Sequence, residues 1–351
     1  MHGAASPSVP EIRGSSHANK PVPAWPVKSH EEYKYTTVKG YFLQSEDATD
    51  SKKFDFKKQN FGLIARTYDT DSKSDRYGEQ WQRFENYVRH LNKKSGKDVQ
   101  YKVIFLGRHG QGYHNVAESK YGTPAWDCYW SKLDGADGLT WADANLTELG
   151  MGQAAEVHEL WESLLLKEGG GIPTPETYYV SPLSRAIETA DITFEGLKLP
   201  KHQAYKPIVK ELLRETIGIH TCDRRQSKTN IHKAFPHLTF EHGFSEDDSL
   251  WSAEYREPNS ARKLRMTQLL DDIFSTDDGE FLSFTAHSGA IAGTLEAISH
   301  RSFDLPTGGV IPVFVKAEKV HGKRPTPSLE PSGTAPVCTA NPTATATALS
   351  N

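Results

Sequence analysis

The chain is poor in cysteine. Cys128, Cys222 and Cys338 are its three in 351 residues, too few and too scattered for a disulfide scaffold or a paired-cysteine zinc site. Free thiols in a reducing compartment are the reading that follows. Long apolar runs are also missing. No stretch approaches the ~20 residues that span a bilayer, and Met1 to Trp25 holds no apolar core of the length a secretion signal needs. A cytoplasmic protein that keeps away from membranes is expected. Charge of one sign is missing too: 41 Lys+Arg against 45 Asp+Glu leave −4. That balance supplies no basic field, so nothing drives binding to nucleic acid. The residues present call for no metal and no cofactor.

Large apolar groups are scarce at both ends. Residues 1–30 are rich in Pro, Ser, Ala and Gly without periodicity and read as a flexible tail. Residues 321–351 carry many Thr, Ala and Pro and too little apolar surface to offset the entropy of ordering. A disordered C-terminal tail is expected there, leaving one domain over 31–320. Nothing in the chain fixes the oligomeric state.

Inside those bounds short apolar runs alternate with helical periodicity. Trp81, Phe84, Val88 and Leu91, three or four residues apart, predict an amphipathic helix that ends near Lys94, after an irregular N-terminal extension. Val103–Leu106 reads as a buried strand. Thr147 is a candidate N-cap for a helix through Leu166, closed by Gly169, Gly170 and Gly171. Strands follow at 177–180, 207–213, 281–285 and 310–315, with helices over 184–194, 260–274 (Ser260 as N-cap) and 289–298. This alternation predicts an α/β fold, a three-layer α/β/α sandwich around a mostly parallel central sheet. The long charged segment 216–260 is an insertion expected to form a lid.

In such sheets ligands sit beyond the carboxyl ends of the strands. Those positions hold Arg108-His109-Gly110, then Ser184-Arg185, then Arg214-Glu215, then His287-Ser288-Gly289. Arg108 and Arg185 can each grip two oxygens of a phosphate. His109 between them can attack phosphorus with one ring nitrogen while a backbone carbonyl fixes the other. His287 can donate to the transferring phosphoryl group. Glu215 can protonate the leaving oxygen and then activate water. Burial raises its pKa and the arginines lower it, and the sequence leaves that sum open.

These motifs resemble the histidine phosphatase superfamily. The same resemblance takes in Asn115, Leu146-Thr147-Glu148-Leu149-Gly150 with Gln153-Ala154, and Thr189-Ala190. Within the superfamily the chain is similar to the phosphoglycerate mutase-like branch. Gly218, His220, Cys222, Asp223 and Arg225, with Tyr35 and Asn60-Phe61-Gly62 upstream, are similar to fungal phosphomutase-like proteins. The resemblance covers about 33–315. It implies a phosphoglycerate mutase-like fold and a phosphorylated nucleophile at His109. It also implies a phosphate pocket of Arg108, Arg185 and His287, with Asn115 as a further contact, and Glu215 as proton donor. Ser288 follows His287 where the acid phosphatase and phytase branch carries an aspartate, so no proton donor is expected at that position.

Bland alternatives attach to several residues. Glu211 and Asp223 rival Glu215 as proton donor. His114 and His220 read as residues beside the site or on the surface, and Cys222 as a buried thiol. Lys206, Lys210, Arg224, Arg225 and Lys228 read as a solvated face or as a grip on a second anionic group. The expected function is a metal-independent phosphatase acting on small phosphorylated molecules through phosphohistidine. A phosphoryl mutase, a non-catalytic phospholigand binder and a biosynthetic enzyme that uses the same pocket are the alternatives.

Overall fold

Val103, Ile104, Phe105 and Leu106 are all buried, because the strand that carries them is covered on both faces. Ile104 and Leu106 point into one apolar cluster and Val103 and Phe105 into another. That two-sided burial is the reason for an unbroken apolar run where a half-exposed strand would alternate. A computed structural model describes residues 31–71, 79–166, 170–325 and 327–342. The expected tail over 1–30 and Gly169 lie outside the described residues.

In chain order the elements are β1 (Tyr33–Thr37), α1 (Gln80–Lys94), β2 (Val99–Arg108), α2 (Tyr113–Tyr121) and α3 (Thr123–Cys128). A two-residue hairpin follows, β3 (Gly135–Ala136) with β4 (Leu139–Thr140), and then α4 (Glu148–Leu165), β5 (Thr177–Val180) and α5 (Ser184–Phe194). Next come β6 (Ile208–Val209), α6 (Lys228–Ala234), β7 (Thr239–Phe240) and α7 (Asn259–Thr276). The last elements are β8 (Phe281–Ala286), α8 (Ser288–Ala297) and β9 (Val310–Lys319).

Seven strands form the main sheet in the order β1-β9-β2-β8-β5-β6-β7. The neighbours from β2 through β7 are parallel, and β9 runs antiparallel to both β2 and β1. Helices α7 and α8 bury Leu269, Leu270, Ile273 and Ile291 on one face, while α1 and α4 bury Trp81, Phe84, Val157 and Trp161 on the other. The expected sandwich is the one observed. Among the described residues no helix is long and apolar enough to cross a membrane.

Local chemistry sets the helix starts. The Thr147 side chain accepts the Gly150 N–H at 3.1 Å, as an N-cap does. Ser260, expected as the N-cap of α7, lies inside that helix, whose N-cap is Pro258. Two strands differ from expectation. Beyond Val209 the apolar run 207–213 leaves the sheet and forms a short 3-10 turn over Glu211–Leu213. There the buried charges of Lys210 and Glu211 pair with Asp272 and Arg225. β1 lies in the stretch read as irregular. Its Tyr33, Tyr35 and Thr37 alternate inward, and their tyrosine rings close over Phe274.

Segment 216–260, expected to form a lid, packs as a wall at the β7 edge of the sheet. Its β7 pairs with β6, and buried ion pairs anchor it: Arg214 to Asp248 at 2.5 Å and Arg265 to Glu257 at 2.6 Å.

The C-terminal stretch requires a correction. Residues 327–342, expected to be disordered, are docked on the outside of that wall. Gly333 donates to the Arg256 carbonyl at 2.9 Å, Ser332 Oγ accepts the Arg256 N–H at 3.1 Å, and Glu330 N–H reaches Ser260 Oγ at 2.8 Å. Cys338 forms a disulfide with Cys128 at the end of α3, across a sequence separation of 210. Polar bonds and a covalent tie thus order a segment that has little apolar surface to bury. The reading of three free thiols is corrected with it: Cys222 alone is free, and it is buried. Cys338→Ser is expected to lower stability by about 2–4 kcal/mol, the usual worth of a long-loop disulfide, and thermal unfolding without reductant checks it.

Candidate active site

The parallel register brings the strand ends to one edge. Arg108 at the end of β2 lies opposite Ala286 at the end of β8, and Val180 of β5 lies opposite Thr285. The next residue of each outer strand is then pinned to β8: His109 N–H to the Ala286 carbonyl at 3.0 Å, and Ser181 N–H to the Thr285 carbonyl at 3.1 Å. His287, which follows β8, is flanked by both.

The turn after His109 has no room for side chains. A Cβ on Gly110 would lie 2.3 Å from the Gly150 carbonyl oxygen, and one on Gly150 would lie 2.1 Å from the Gln111 carbonyl oxygen. The two glycines let the start of α4 press directly on the loop that holds His109. The Gly110 N–H is fixed in turn by Thr189 Oγ1 at 3.0 Å.

Arg108, His109, Asn115, Arg185 and Glu215 line one open pocket of about 340 Å³. The fully buried His287 stands directly behind it, its ring centroid 5.0 Å from that of His109. All six sequence-named residues are therefore brought together. His109 Nδ1 is 2.6 Å from the Gly110 carbonyl oxygen, which makes Nδ1 the protonated nitrogen and leaves Nε2 with the lone pair. Burial, then the charges of Arg185 and Arg108, hold the His109 pKa well below the usual histidine range, against the opposing pull of the Gly110 carbonyl. His287 Nε2 sits 2.7 Å from Ser181 Oγ, and its buried Nδ1 has no partner among the described residues.

The arginines are braced by their terminal nitrogens. Arg108 Nη1 donates to the Leu305 carbonyl at 2.7 Å, and Arg185 donates to the Cys222 carbonyl at 2.6 Å and to Asp223 at 3.1 Å. Each Nε is buried and has no partner among the described residues. Buried donors left open around one concavity are what an anion would satisfy.

Glu215 lies against the first turn of α8. It accepts from Gly289 N–H at 3.1 Å and Ser288 Oγ at 3.2 Å, and from Thr216 N–H at 2.7 Å. Burial pushes its pKa up, but these backbone bonds and the Arg185 and Arg262 charges outweigh that and bring it down to about 2. The sum that the sequence left open therefore falls on the ionised side. The rival carboxylates are occupied: Glu211 pairs with Arg214 and Arg225, and Asp223 with Arg185 and Arg256. Asn115 accepts the Gly112 N–H at 3.0 Å through its side-chain oxygen.

His114 and His220 belong to the pocket wall, nearer than the sequence suggested. The His114 ring centroid lies 5.3 Å from that of His109, with the planes tilted, and burial and Arg256 lower the His220 pKa to about 4. Arg225 is buried on Glu211 and on carbonyls of 245–247, and Lys210 pairs with Asp272. Neither faces the pocket, and neither do Lys206, Arg224 or Lys228. Thr216, Trp126, Arg256 and Arg262 were not singled out in sequence. A serine or threonine hydroxyl is too common, and an arginine 40 residues downstream too remote in the chain, to signal the site.

His220, Cys222 and Asp223 could place three donor atoms within 4.8 Å of one another. Two guanidinium groups already hold Asp223, so the local field opposes a cation there.

Four neutral histidines in one wall make stability depend on pH. His109, His114, His220 and His287 all have lowered folded pKa values, so the unfolded chain binds protons first as pH falls. Their contribution is complete above about pH 6.5 and is lost on acidification toward pH 4. A melting temperature that falls over that range is expected, and His114→Asn is expected to flatten the fall.

A model of the histidine phosphatase superfamily (branch 1) matches residues 130–308, which begin downstream of His109. A probable phosphoglycerate mutase of Arthroderma benhamiae is 52% identical over 286 residues, 81% of this chain and 84% of that protein. Phosphomutase-like protein 3 of Candida albicans is 40% identical over 225 residues, 64% of this chain and 68% of that protein. The probable phosphoglycerate mutase PMU1 of Saccharomyces cerevisiae is 32% identical over 245 residues, 65% of this chain and 82% of that protein.

Proposed function

The chain belongs to the histidine phosphatase superfamily, and from that premise we propose that it hydrolyses phosphate monoesters of small molecules through a phosphohistidine on His109. The observation that carries this reading is the state of His109. It is neutral, held at Nδ1 by the Gly110 carbonyl, and set among Arg108, Arg185 and His287.

In the first half-reaction Nε2 attacks phosphorus and the bond to the leaving oxygen breaks. Arg108 and Arg185 offset charge on the non-bridging oxygens, and His287 Nδ1 supplies a further donor when protonated. Glu215 rests as a carboxylate. A phosphoryl dianion beside it counters the Arg185 and Arg262 charges, so the proton that the leaving oxygen needs is taken up together with substrate. In the second half Glu215 accepts a proton from water, the oxygen attacks phosphorus, and the N–P electron pair returns to Nε2. The open pocket admits that water.

A second reading has support in the name of the Arthroderma benhamiae relative. In a mutase the leaving alcohol stays bound and takes the phosphoryl group back on another oxygen. Phosphorus NMR of the products separates the two. Inorganic phosphate as the main product supports hydrolysis, and a migrated ester without phosphate release supports the mutase. The direct test is turnover of p-nitrophenyl phosphate in EDTA from mildly acid to neutral pH, where a complete lack of turnover counts against the phosphatase. The disulfide weighs against the cytoplasmic location read from the sequence, because a glutathione-reduced compartment keeps such pairs open.

A further inference from the structure

None of residues 327–342 is buried, so polar bonds and one covalent bond hold this strap in place. The polar bonds converge on Arg256. Its N–H donates to Ser332 Oγ at 3.1 Å, and its carbonyl accepts from Gly333 N–H at 2.9 Å and from Ser332 Oγ at 3.3 Å. Further along, Cys338 is bonded to Cys128, and the Pro342 carbonyl accepts from Trp130 Nε1 at 3.3 Å. Solvent-exposed hydrogen bonds with little apolar surface behind them open readily. The disulfide is what keeps the strap, and with it the grip on the Arg256 backbone, on the protein.

Arg256 carries that hold inward. Its Nη1 donates to the carbonyls of Thr216 at 3.0 Å and Gly218 at 2.7 Å and to Asp223 Oδ2 at 3.0 Å. The other oxygen of the buried Asp223, Oδ1, accepts from Arg185 Nη2 at 3.1 Å. One carboxylate is thus shared between a guanidinium fastened by the strap and a guanidinium at the phosphate end. While Arg256 keeps Oδ2, Asp223 offers Arg185 a single oxygen, and the Arg185 Nε has no partner among the described residues. With Arg256 displaced, Oδ2 turns to that Nε. A carboxylate paired in fork geometry then competes with phosphate for the same donors. The bond to Cys128 also fastens the neighbouring wall, because Trp126 and Asp127, just before it in α3, line the same pocket.

We propose that Arg256 is a positioning residue through which the Cys128–Cys338 disulfide controls the phosphate grip: closed, the bond leaves Arg185 open to phosphate, and opened, it lets Asp223 take that place. The inference rests on reading this pocket as the phosphate site and adds a redox control to it. Opening takes a dithiol reductant. Its thiolate attacks one sulfur, the S–S bond breaks, and the other sulfur leaves as a thiolate. The second thiol of the reductant then closes it into its own disulfide, and Cys128 and Cys338 end as two thiols.

Calorimetry with inorganic phosphate tests this without turnover. Each protein is titrated oxidised and after dithiothreitol, at a temperature below its unfolding transition in both states. The native protein is expected to bind phosphate about 3- to 10-fold more weakly when reduced. Cys338→Ser is expected to show the weaker affinity with or without dithiothreitol. Arg256→Gln is expected to show it too and to lose the response to dithiothreitol. Arg256→Lys, which keeps a cation for Asp223, is expected to recover part of both. A native affinity that ignores dithiothreitol overturns the proposal. So does a full response in Arg256→Gln, since a strap that acts through stability alone has no need of that side chain. An oxidised native protein that binds no phosphate sinks the pocket reading and the proposal together. Phosphate release is read separately, so a failed hydrolysis reading is distinguishable from a failed assignment of Arg256.

Discussion

Replacing His109 with alanine is expected to lower p-nitrophenyl phosphate turnover by about four orders of magnitude or more, the scale of losing a covalent nucleophile. No other group can take its place. His114 and His287 are buried with it, but His287 Nε2 is committed to Ser181, and neither ring has a carbonyl fixing its tautomer as Gly110 fixes that of His109. The variant should still bind phosphate, because Arg108 and Arg185 keep their own braces on Leu305, Cys222 and Asp223. Phosphate affinity by calorimetry, beside the lost rate, separates a missing nucleophile from a collapsed pocket. Rapid hydrolysis by His109→Ala would falsify the nucleophile assignment.

The second large effect belongs to Glu215. An amide at that position can still accept one of the two N–H bonds, from Thr216 or from Gly289, which reach different oxygens of Glu215, but it cannot take a proton from water. Glu215→Gln is expected to cut steady-state turnover by about 10²–10⁴-fold. Dephosphorylation should suffer most with an ester whose leaving group departs without a proton, such as p-nitrophenolate. A phosphoenzyme should then accumulate on His109 and appear as a burst of nitrophenolate and a shift of one phosphoryl group in intact mass. Absence of both burst and adduct, with turnover equally low, would move the role of Glu215 to the first half-reaction. The substitution also has a stability sign. The Glu215 carboxyl in the folded chain is held near 2, below its unfolded value of 4.5. Its contribution is present above about pH 4.5 and lost as pH falls toward 2, and Glu215→Gln removes that segment of the acid-unfolding curve.

Much of this architecture is legible from residue patterns, for stated physical reasons. A strand buried on both faces is apolar at nearly every position, and 103–106, 177–180 and 281–285 depart from that only at Thr177, Ser283 and Thr285. Parallel strands with helical crossovers bring their carboxyl ends to one edge, so residues just past them collect. That argument alone placed Arg108, His109, Arg185, Glu215 and His287. It failed where order comes from polar pairing. β6 stops after two residues because, beyond the Lys210 N–H bond to the Val180 carbonyl, the Glu211 N–H turns to the Glu241 side chain. The pocket wall over 216–260 depends on arginines tied to carbonyls and carboxylates distant in sequence, which leave no periodic signal. Arg256 and Arg262 share this invisibility. Residues 327–342 show the same failure from the opposite side, since a composition rule that counts apolar surface does not see a disulfide.

That covalent tie gives the denatured chain a topology. With Cys128 joined to Cys338, a polypeptide in detergent is a large ring with one long N-terminal arm and one short C-terminal arm, so it should run ahead of its reduced form on an electrophoresis gel. A protease nick anywhere inside the ring would leave both pieces travelling together until a thiol is added.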